Sequence, residues 1–226
     1  FHEKELLPFY DRYLKGVDNG FMDGPPVRIF VRGDDKYRTE PEWPLTRARQ
    51  VSYYLRRGPS KSVTSLNDGD LSAEAPSREE GGTSYAYPDP QWKLGVVSVG
   101  PRGPDPTARV LTFTGPVLPS DLEVTGPIVL ELYASSSQPD TDFFVKLSDQ
   151  HPLPAADRDK GVQPPFTVVS KGWLRASHRE KDETRSTPYR PVYAHRNPQP
   201  IVPGTIYRFD IEVLPTTDIL EIGATL

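Results

Sequence analysis

Cysteine is absent from the 226 residues. The chain therefore forms no disulfide and holds no thiolate-bound metal, a usage compatible with the cytoplasm, which is the expected compartment. Long apolar runs are also missing. No stretch approaches the ~18 consecutive apolar residues that span a bilayer, so no membrane partner is expected. Charge of one sign is not concentrated anywhere. The formal net charge is −4, Lys and Arg are dispersed, and no basic stripe marks a nucleic-acid surface. The usual catalytic signatures are missing as well. No Gly-x-Ser-x-Gly nucleophile elbow occurs, no phosphate-binding Gly-x-x-x-x-Gly-Lys-[Ser/Thr] occurs, and the four histidines show no His-x-x-x-His spacing for zinc. No cofactor is expected. No secretory signal opens the chain, and because Phe1 is not an initiator Met, the natural amino terminus is expected upstream.

What is abundant is proline, 26 residues, with 17 glycines. Proline is excluded from helix interiors and central strands, so this much of it implies many short elements joined by ordered turns. Hydrophobic residues at 35% and charged residues at 26% are those of a globular chain with a sizeable core.

The opening segment reads as a helix. Leu6, Phe9, Tyr10, Tyr13 and Leu14 follow the three-four spacing, Lys15 falls in the last turn and Gly16 stands where a helix stops. Pro8 places the regular turns near itself. A loop follows, and then the short strand Val27-Arg28-Ile29-Phe30-Val31. One helix and one strand cannot bury themselves, so residues 1–35 are expected to be a severed piece of an α/β domain, protected only beside upstream partners. The alternative is a helix packed on a β-sandwich.

From Gln50 onward the period is two. Candidate strands are Val51–Leu55, Val110–Thr114, Ile128–Ala134, Phe143–Leu147, Val168–His178 and Tyr207–Val213, with Asn67-Asp68-Gly69-Asp70 read as a turn. Alternation puts Leu130, Leu132, Phe143, Val145, Phe209 and Ile211 on the inner face of a two-sheet sandwich. Residues Leu220–Leu226 read as a turn and the start of one more strand.

Few residues suggest chemistry. His2 is a candidate base whose Ser and Asp would lie upstream, although a role at the helix start or in a domain interface is the preferred reading. His178 falls on the Val168–His178 strand and reads as a surface or interface group. Asp140, Asp142 and Asp149 could offer oxygens to calcium, but an Asp-x-Asp after Pro139 is also ordinary capping chemistry, and capping is preferred. Tyr85, Tyr87 and Trp92, with Tyr37 and Trp43, lie in Pro-rich loops. Such aromatics either stack on a ligand or join two domains, and interdomain packing is the better account.

Several segments occur in one colinear order: Phe9-Tyr10-Asp11-Arg12-Tyr13-Leu14-Lys15-Gly16, Pro25–Gly33, Glu42-Trp43-Pro44, Tyr85-Ala86-Tyr87-Pro88-Asp89-Pro90, Leu111–Leu118, Leu122-Glu123-Val124-Thr125-Gly126-Pro127 and Pro139-Asp140-Thr141-Asp142-Phe143. Together they resemble the CocE/NonD type of serine hydrolase, the family of cocaine esterase, glutaryl acylases and X-Pro dipeptidyl-peptidases. The resemblance covers nearly the whole chain. It implies a mainly β chain, a galactose-binding-like jelly-roll sandwich over 51–226, preceded over 1–50 by a helix-strand remnant of the α/β-hydrolase domain. It also implies that the catalytic Ser, Asp and His lie upstream, so no catalytic residue is assigned here. The family usually continues Gly-His-Arg where this chain has Gly223-Ala224-Thr225, so the end of the sandwich departs from the pattern.

In the family's esterases the stretch after the Tyr-x-Tyr loop passes near the acyl pocket. That resemblance makes Trp92, Val97, Ser98 and Val99 candidate substrate-pocket residues, shaping a cavity without doing chemistry, although an ordinary interdomain strand is an equal reading. The implied partners are the upstream α/β-hydrolase and cap domains of the same protein and a small ester or amide substrate, with a homo-oligomer left open. A different class remains beside it: a carbohydrate- or ligand-binding β-sandwich module using Trp92, Tyr85 and Tyr87.

Overall fold

The structure is a computed structural model, and it describes residues 1–57, 65–83, 99–100, 103–104, 110–151, 154–158, 160 and 166–224. The chain opens with one wide turn, His2–Leu6, running into helix α1, Leu7–Lys15. Pro8 sits in the first turn of α1, where its missing N–H costs nothing, and Gly16 ends the helix at φ +69°. No residue of the wide turn or of α1 is buried.

Strands follow: β1 Val27–Val31, β2 Lys36–Glu40, β3 Tyr54–Arg57, β4 Ser65–Ser72, β5 Val99–Gly100, β6 Gly103–Pro104, β7 Val110–Thr114, β8 Leu122–Ala134 and β9 Asp142–Gln150. A helical turn α2, Ala155–Arg158, precedes β10, Phe166–Arg175, and the last strand is β11, Tyr207–Leu220. The described chain is mainly β. The largest sheet is antiparallel, ordered β8-β11-β10-β9, and a three-stranded sheet is ordered β3-β4-β7. Two further two-stranded antiparallel sheets, the β1-β2 hairpin and β5-β6, occur among the described residues.

The alternation read from the sequence sets the core. Phe209 and Ile211 are essentially sealed from solvent. Leu130 and Leu132 from β8, and Phe143 and Val145 from β9, pack against them. The loop between β10 and β11 closes over this face with Ala176, Tyr193 and Ile201. A second cluster, Leu118, Val169, Leu220 and Ala224, fills the other end. Gly223 N–H donates to the Leu118 carbonyl and Leu118 N–H to the Ala224 carbonyl. Residues 221–224 therefore form a turn that folds back onto Leu118, and 225–226 lie outside the described residues.

Several expectations are corrected. Among the described residues strand β1 takes no parallel strand as a partner, apart from the single parallel bridge of the adjoining Arg32 to Asp218. It forms an antiparallel hairpin with β2, in register from Val27 opposite Glu40 to Val31 opposite Lys36. The hairpin is held to the large sheet. Arg32 N–H donates to the Thr217 carbonyl, Ile219 N–H donates to the Arg32 carbonyl, and the Arg32 guanidinium meets Asp218 at 2.6 Å. Gly33 carries φ +85°, and a Cβ there would lie 2.7 Å from the Ile219 carbonyl oxygen, so only glycine lets the hairpin come this close. Hence 27–31 is paired with its own hairpin partner and, through the adjoining Arg32, is bridged to β11 within this chain.

The Asn67-Asp68-Gly69-Asp70 turn also fails, because those residues run through the middle of β4. They pair in parallel with β7, with Asp68 opposite Thr112 and Gly69 opposite Phe113, and the Phe113 ring takes the space a Cβ at Gly69 would need. Turn-forming residues here serve close approach instead. The strand expected over Val51–Leu55 starts later, at Tyr54, and Val51 is exposed. The strand expected to end at His178 ends at Arg175, and Ala176–His178 is one tight helical turn.

Candidate functional site

Strand β10 alternates sharply: Gly172 and Leu174 are buried, while Lys171, Trp173 and Arg175 face out. Its register with β9 sets Trp173 directly opposite Phe144, and both are 59% exposed. Two large aromatics side by side on a sheet face leave adjoining apolar surface in water. A groove of about 460 Å³ opens over this pair. Its walls come from β9, β10 and β11 and from the β10–β11 loop, with Asp142, Arg175, His178, Tyr193, His195, Glu212 and Leu214 among the lining residues.

The charged groups at the mouth of the groove are paired, whereas the buried Tyr193 hydroxyl has no hydrogen-bond partner among the described residues. Arg175 clamps Asp142 through Nε at 2.8 Å and Nη2 at 3.0 Å. This fork holds the Arg175 guanidinium above its ordinary range, mainly through the hydrogen bonds to Asp142. His178 Nδ1 lies 3.1 Å from His195 Nδ1. Burial pushes the Tyr193 phenol well up, and the Asp210 and Glu212 carboxylates push it further. The lining includes no serine or threonine beside either histidine, so the groove holds no nucleophile-and-base arrangement.

The sequence-derived candidates fall as follows. Trp92, Val97 and Ser98, together with Tyr85 and Tyr87, lie outside the described residues. The backbone of Val99 is in β5, opposite Pro104. His2 is exposed in the first turn with its ring 5.9 Å from Phe1. The capping account of Asp140 holds. Its carboxylate accepts from Thr141 N–H, from Ser177 N–H at 2.8 Å and from Ser177 Oγ at 2.7 Å. Burial alone would raise the Asp140 carboxyl, but these hydrogen bonds leave it lowered. Asp142 is occupied by Arg175. Asp149 is buried, with Oδ1 lacking a hydrogen-bond partner among the described residues, and burial raises its carboxyl. No group of three or more potential metal-ligating His, Cys, Asp or Glu forms among the described residues.

Sequence reasoning missed the His178–His195 contact and the Trp173–Phe144 pair. The second could have been found by counting outward positions on β9 and β10. The first depends on a long loop and carries no local signal.

Tyr37, from the aromatic set, is 61% exposed and carries the Arg28 guanidinium 4.2 Å over its ring. The hairpin is fastened further by charge. Arg38 makes a bidentate pair with Glu123, at 3.0 and 2.6 Å, and Glu40 pairs with Arg38 and Arg47. Hydrogen bonding to Arg38 holds the Glu123 carboxyl at about 2. No helix among the described residues is long and apolar enough to cross a membrane.

Comparison with known proteins places these features in context. Residues 19–226 match the family model described as the X-Pro dipeptidyl-peptidase C-terminal non-catalytic domain. A protein of Mycobacterium bovis named as a serine esterase is 30% identical over 98% of this chain and 34% of its own length. Cocaine esterase of a Rhodococcus species is 31% identical over 95% of this chain and 35% of its own. The crystal structure of a CocE/NonD family hydrolase from Staphylococcus aureus superposes with a TM-score of 0.60 at 22% identity, covering 97% of this chain and 36% of that one. The chain thus spans about a third of the length of the curated relatives it matches.

Proposed function

The chain belongs to the X-Pro dipeptidyl-peptidase C-terminal non-catalytic domain family, and from that premise we propose that it is the non-catalytic β part of a CocE/NonD-type serine hydrolase. One observation carries the reading: a single match runs over 19–226, while its curated relatives, about three times as long, bear esterase names. The missing nucleophile elbow agrees with it, because the chemistry of such an enzyme would come from elsewhere in the protein.

In this reading the whole enzyme cleaves an ester or an amide through an acyl-enzyme. An upstream serine attacks the carbonyl, an upstream histidine takes its proton, and an aspartate orients the histidine. The β part walls the active site. Residues 51–226 form a jelly-roll sandwich, and the segment containing Trp92, Val97, Ser98 and Val99 lines the acyl side of the pocket. Residues 1–50 end the α/β-hydrolase domain. Within them α1 is the element we assign to the hydrolase side, since Leu7, Phe9, Tyr10, Tyr13 and Leu14 are all exposed in this chain.

The test compares two proteins, the 226-residue chain and the protein that includes its upstream sequence, on a p-nitrophenyl ester. Turnover by the longer protein, blocked by a fluorophosphonate, with the short chain at the buffer rate, supports the reading. Fluorophosphonate-sensitive turnover by the short chain, or upstream sequence without a Gly-x-Ser-x-Gly elbow, overturns it.

A further inference from the structure

His178 and His195 are 17 positions apart in sequence, yet their Nδ1 atoms lie 3.1 Å from each other and their ring centroids 5.3 Å. Two devices bring them together. Ser177, beside His178, is locked by the Asp140 carboxylate through both its N–H and its hydroxyl, which fixes the tight turn Ala176–His178 at the end of β10. His195 takes a left-handed backbone, φ +50°, which few residues with a side chain adopt and which histidine tolerates better than most. The loop around it is pinned on both sides. Ala194 N–H donates to the Glu180 carbonyl, and Gln199 N–H donates to the Ser177 carbonyl. The two imidazoles are thus presented by a braced turn and a braced loop.

We propose that His178 and His195 form a two-point site for a borderline divalent transition metal such as Zn²⁺ or Ni²⁺, both imidazoles coordinating through Nδ1. A tetrahedral ion with Zn–N bonds of about 2.0–2.1 Å holds two donor nitrogens roughly 3.3 Å apart, close to the 3.1 Å seen here, and binding turns both rings so that the two nitrogens converge on the ion. Imidazole nitrogen is the donor such ions prefer among the groups available here. Each ring is neutral when bound, with its proton on Nε2, so the direct Nδ1–Nδ1 contact is exchanged for two metal bonds. No third His, Cys, Asp or Glu joins the pair among the described residues, so water completes the coordination. The site faces the groove that Asp142 and Glu212 also line, two carboxylates that keep the surroundings from being uniformly cationic beside Arg175. The ion would staple the β10–β11 loop to the end of β10.

The decisive experiment needs no variant at first. ZnCl₂ or NiCl₂ is titrated into the protein while the imidazole nitrogens are followed by long-range ¹H–¹⁵N spectra. Zn²⁺ is expected to move the Nδ1 signals of His178 and His195 together and saturate at one ion per chain, leaving His2 and His151 unmoved. Calorimetric binding is expected to fall at least tenfold in both His178→Gln and His195→Asn, the latter chosen because asparagine also accepts the left-handed backbone. His151→Gln is expected to bind as the parent does. The proposal is overturned by absence of saturable binding, by coordination through Nε2, or by loss of binding in only one of the two variants. It stands or falls independently of the hydrolase reading, since no turnover is measured.

Discussion

Helix α1 and strand β11 are about equally rich in apolar residues at the period their secondary structure requires, but only one of them buries its apolar side. Along β11, Phe209, Ile211, Val213 and Leu220 are each at most 2% exposed. Along α1, Phe9 is 41% exposed and Leu14 77%. The strand gained neighbours on both edges and a loop over its face, whereas the nine-residue helix is fixed chiefly by ends and local pairs, Lys15 to Asp11 at 2.6 Å and Asn19 to the Pro8 carbonyl at 2.8 Å. A helix that short gains most of its stability from tertiary packing. An amphipathic pattern thus identifies a face to be covered and does not say what covers it.

The largest effect that can break this comparison is at its buried end. Phe209→Ala is expected to cost about 3–5 kcal/mol, the range for emptying a buried aromatic site. Phe9→Ala in the same 226-residue chain is expected to cost less than about 1 kcal/mol, as a surface substitution does. Chemical denaturation of the two variants checks this, and equal losses would mean that α1 is packed on the β part.

Next comes Gly172→Ala. A Cβ at 172 would stand 2.2 Å from the Glu212 carbonyl oxygen, which belongs to the neighbouring strand and cannot step aside alone. The expected cost is about 1–3 kcal/mol, an overpacking penalty, measured in the same melts. Gly24→Ala, where nothing lies within 4 Å of the added methyl, is the control and should be near neutral.

The smallest effect sharpens the status of the β1–β2 hairpin. Glu123 sits at about 2 instead of its ordinary 4.5 because Arg38 of β2 binds it. Its folded value is depressed, so its stabilising contribution is present above pH 4.5 and is lost as the pH falls towards 2. Glu123→Gln should therefore lower the melting temperature slightly at pH 7, with the difference shrinking as the pH falls from 4.5 and vanishing below pH 2. The side chain is 36% exposed, and screening keeps the effect at the scale of a surface pair, under about 1 kcal/mol. A difference between the two proteins that does not change with pH would show that Arg38 does not tie the hairpin to β8.

Much of the fold was legible because β-strands advertise their faces. A period of two leaves no freedom about which side of Phe209-Asp210-Ile211 goes inward, and a slip of one residue would expose the whole set. The helix stop at Gly16 was equally local. Asn67-Asp68-Gly69-Asp70 was not legible, because its residues favour turns by themselves and only the ring of Phe113 across the sheet explains why Gly69 lies within a strand. The link between Arg32 and β11 was invisible for a similar reason. Nothing in Val31-Arg32-Gly33 says that a backbone 185 residues away will accept it.

By itself, then, the sequence determined the β character of the chain, the inward positions of its long strands, the lack of a Gly-x-Ser-x-Gly motif and the family. These depend on local periodicity, residue chemistry and colinear motifs, all carried by the order of residues. Only the tertiary structure decided that Arg32 bridges the β1–β2 hairpin to β11, that Trp173 and Phe144 share an exposed face, and that His178 meets His195. Those depend on which strand edges and loops come within hydrogen-bonding distance, a matter of packing over separations that no local pattern encodes.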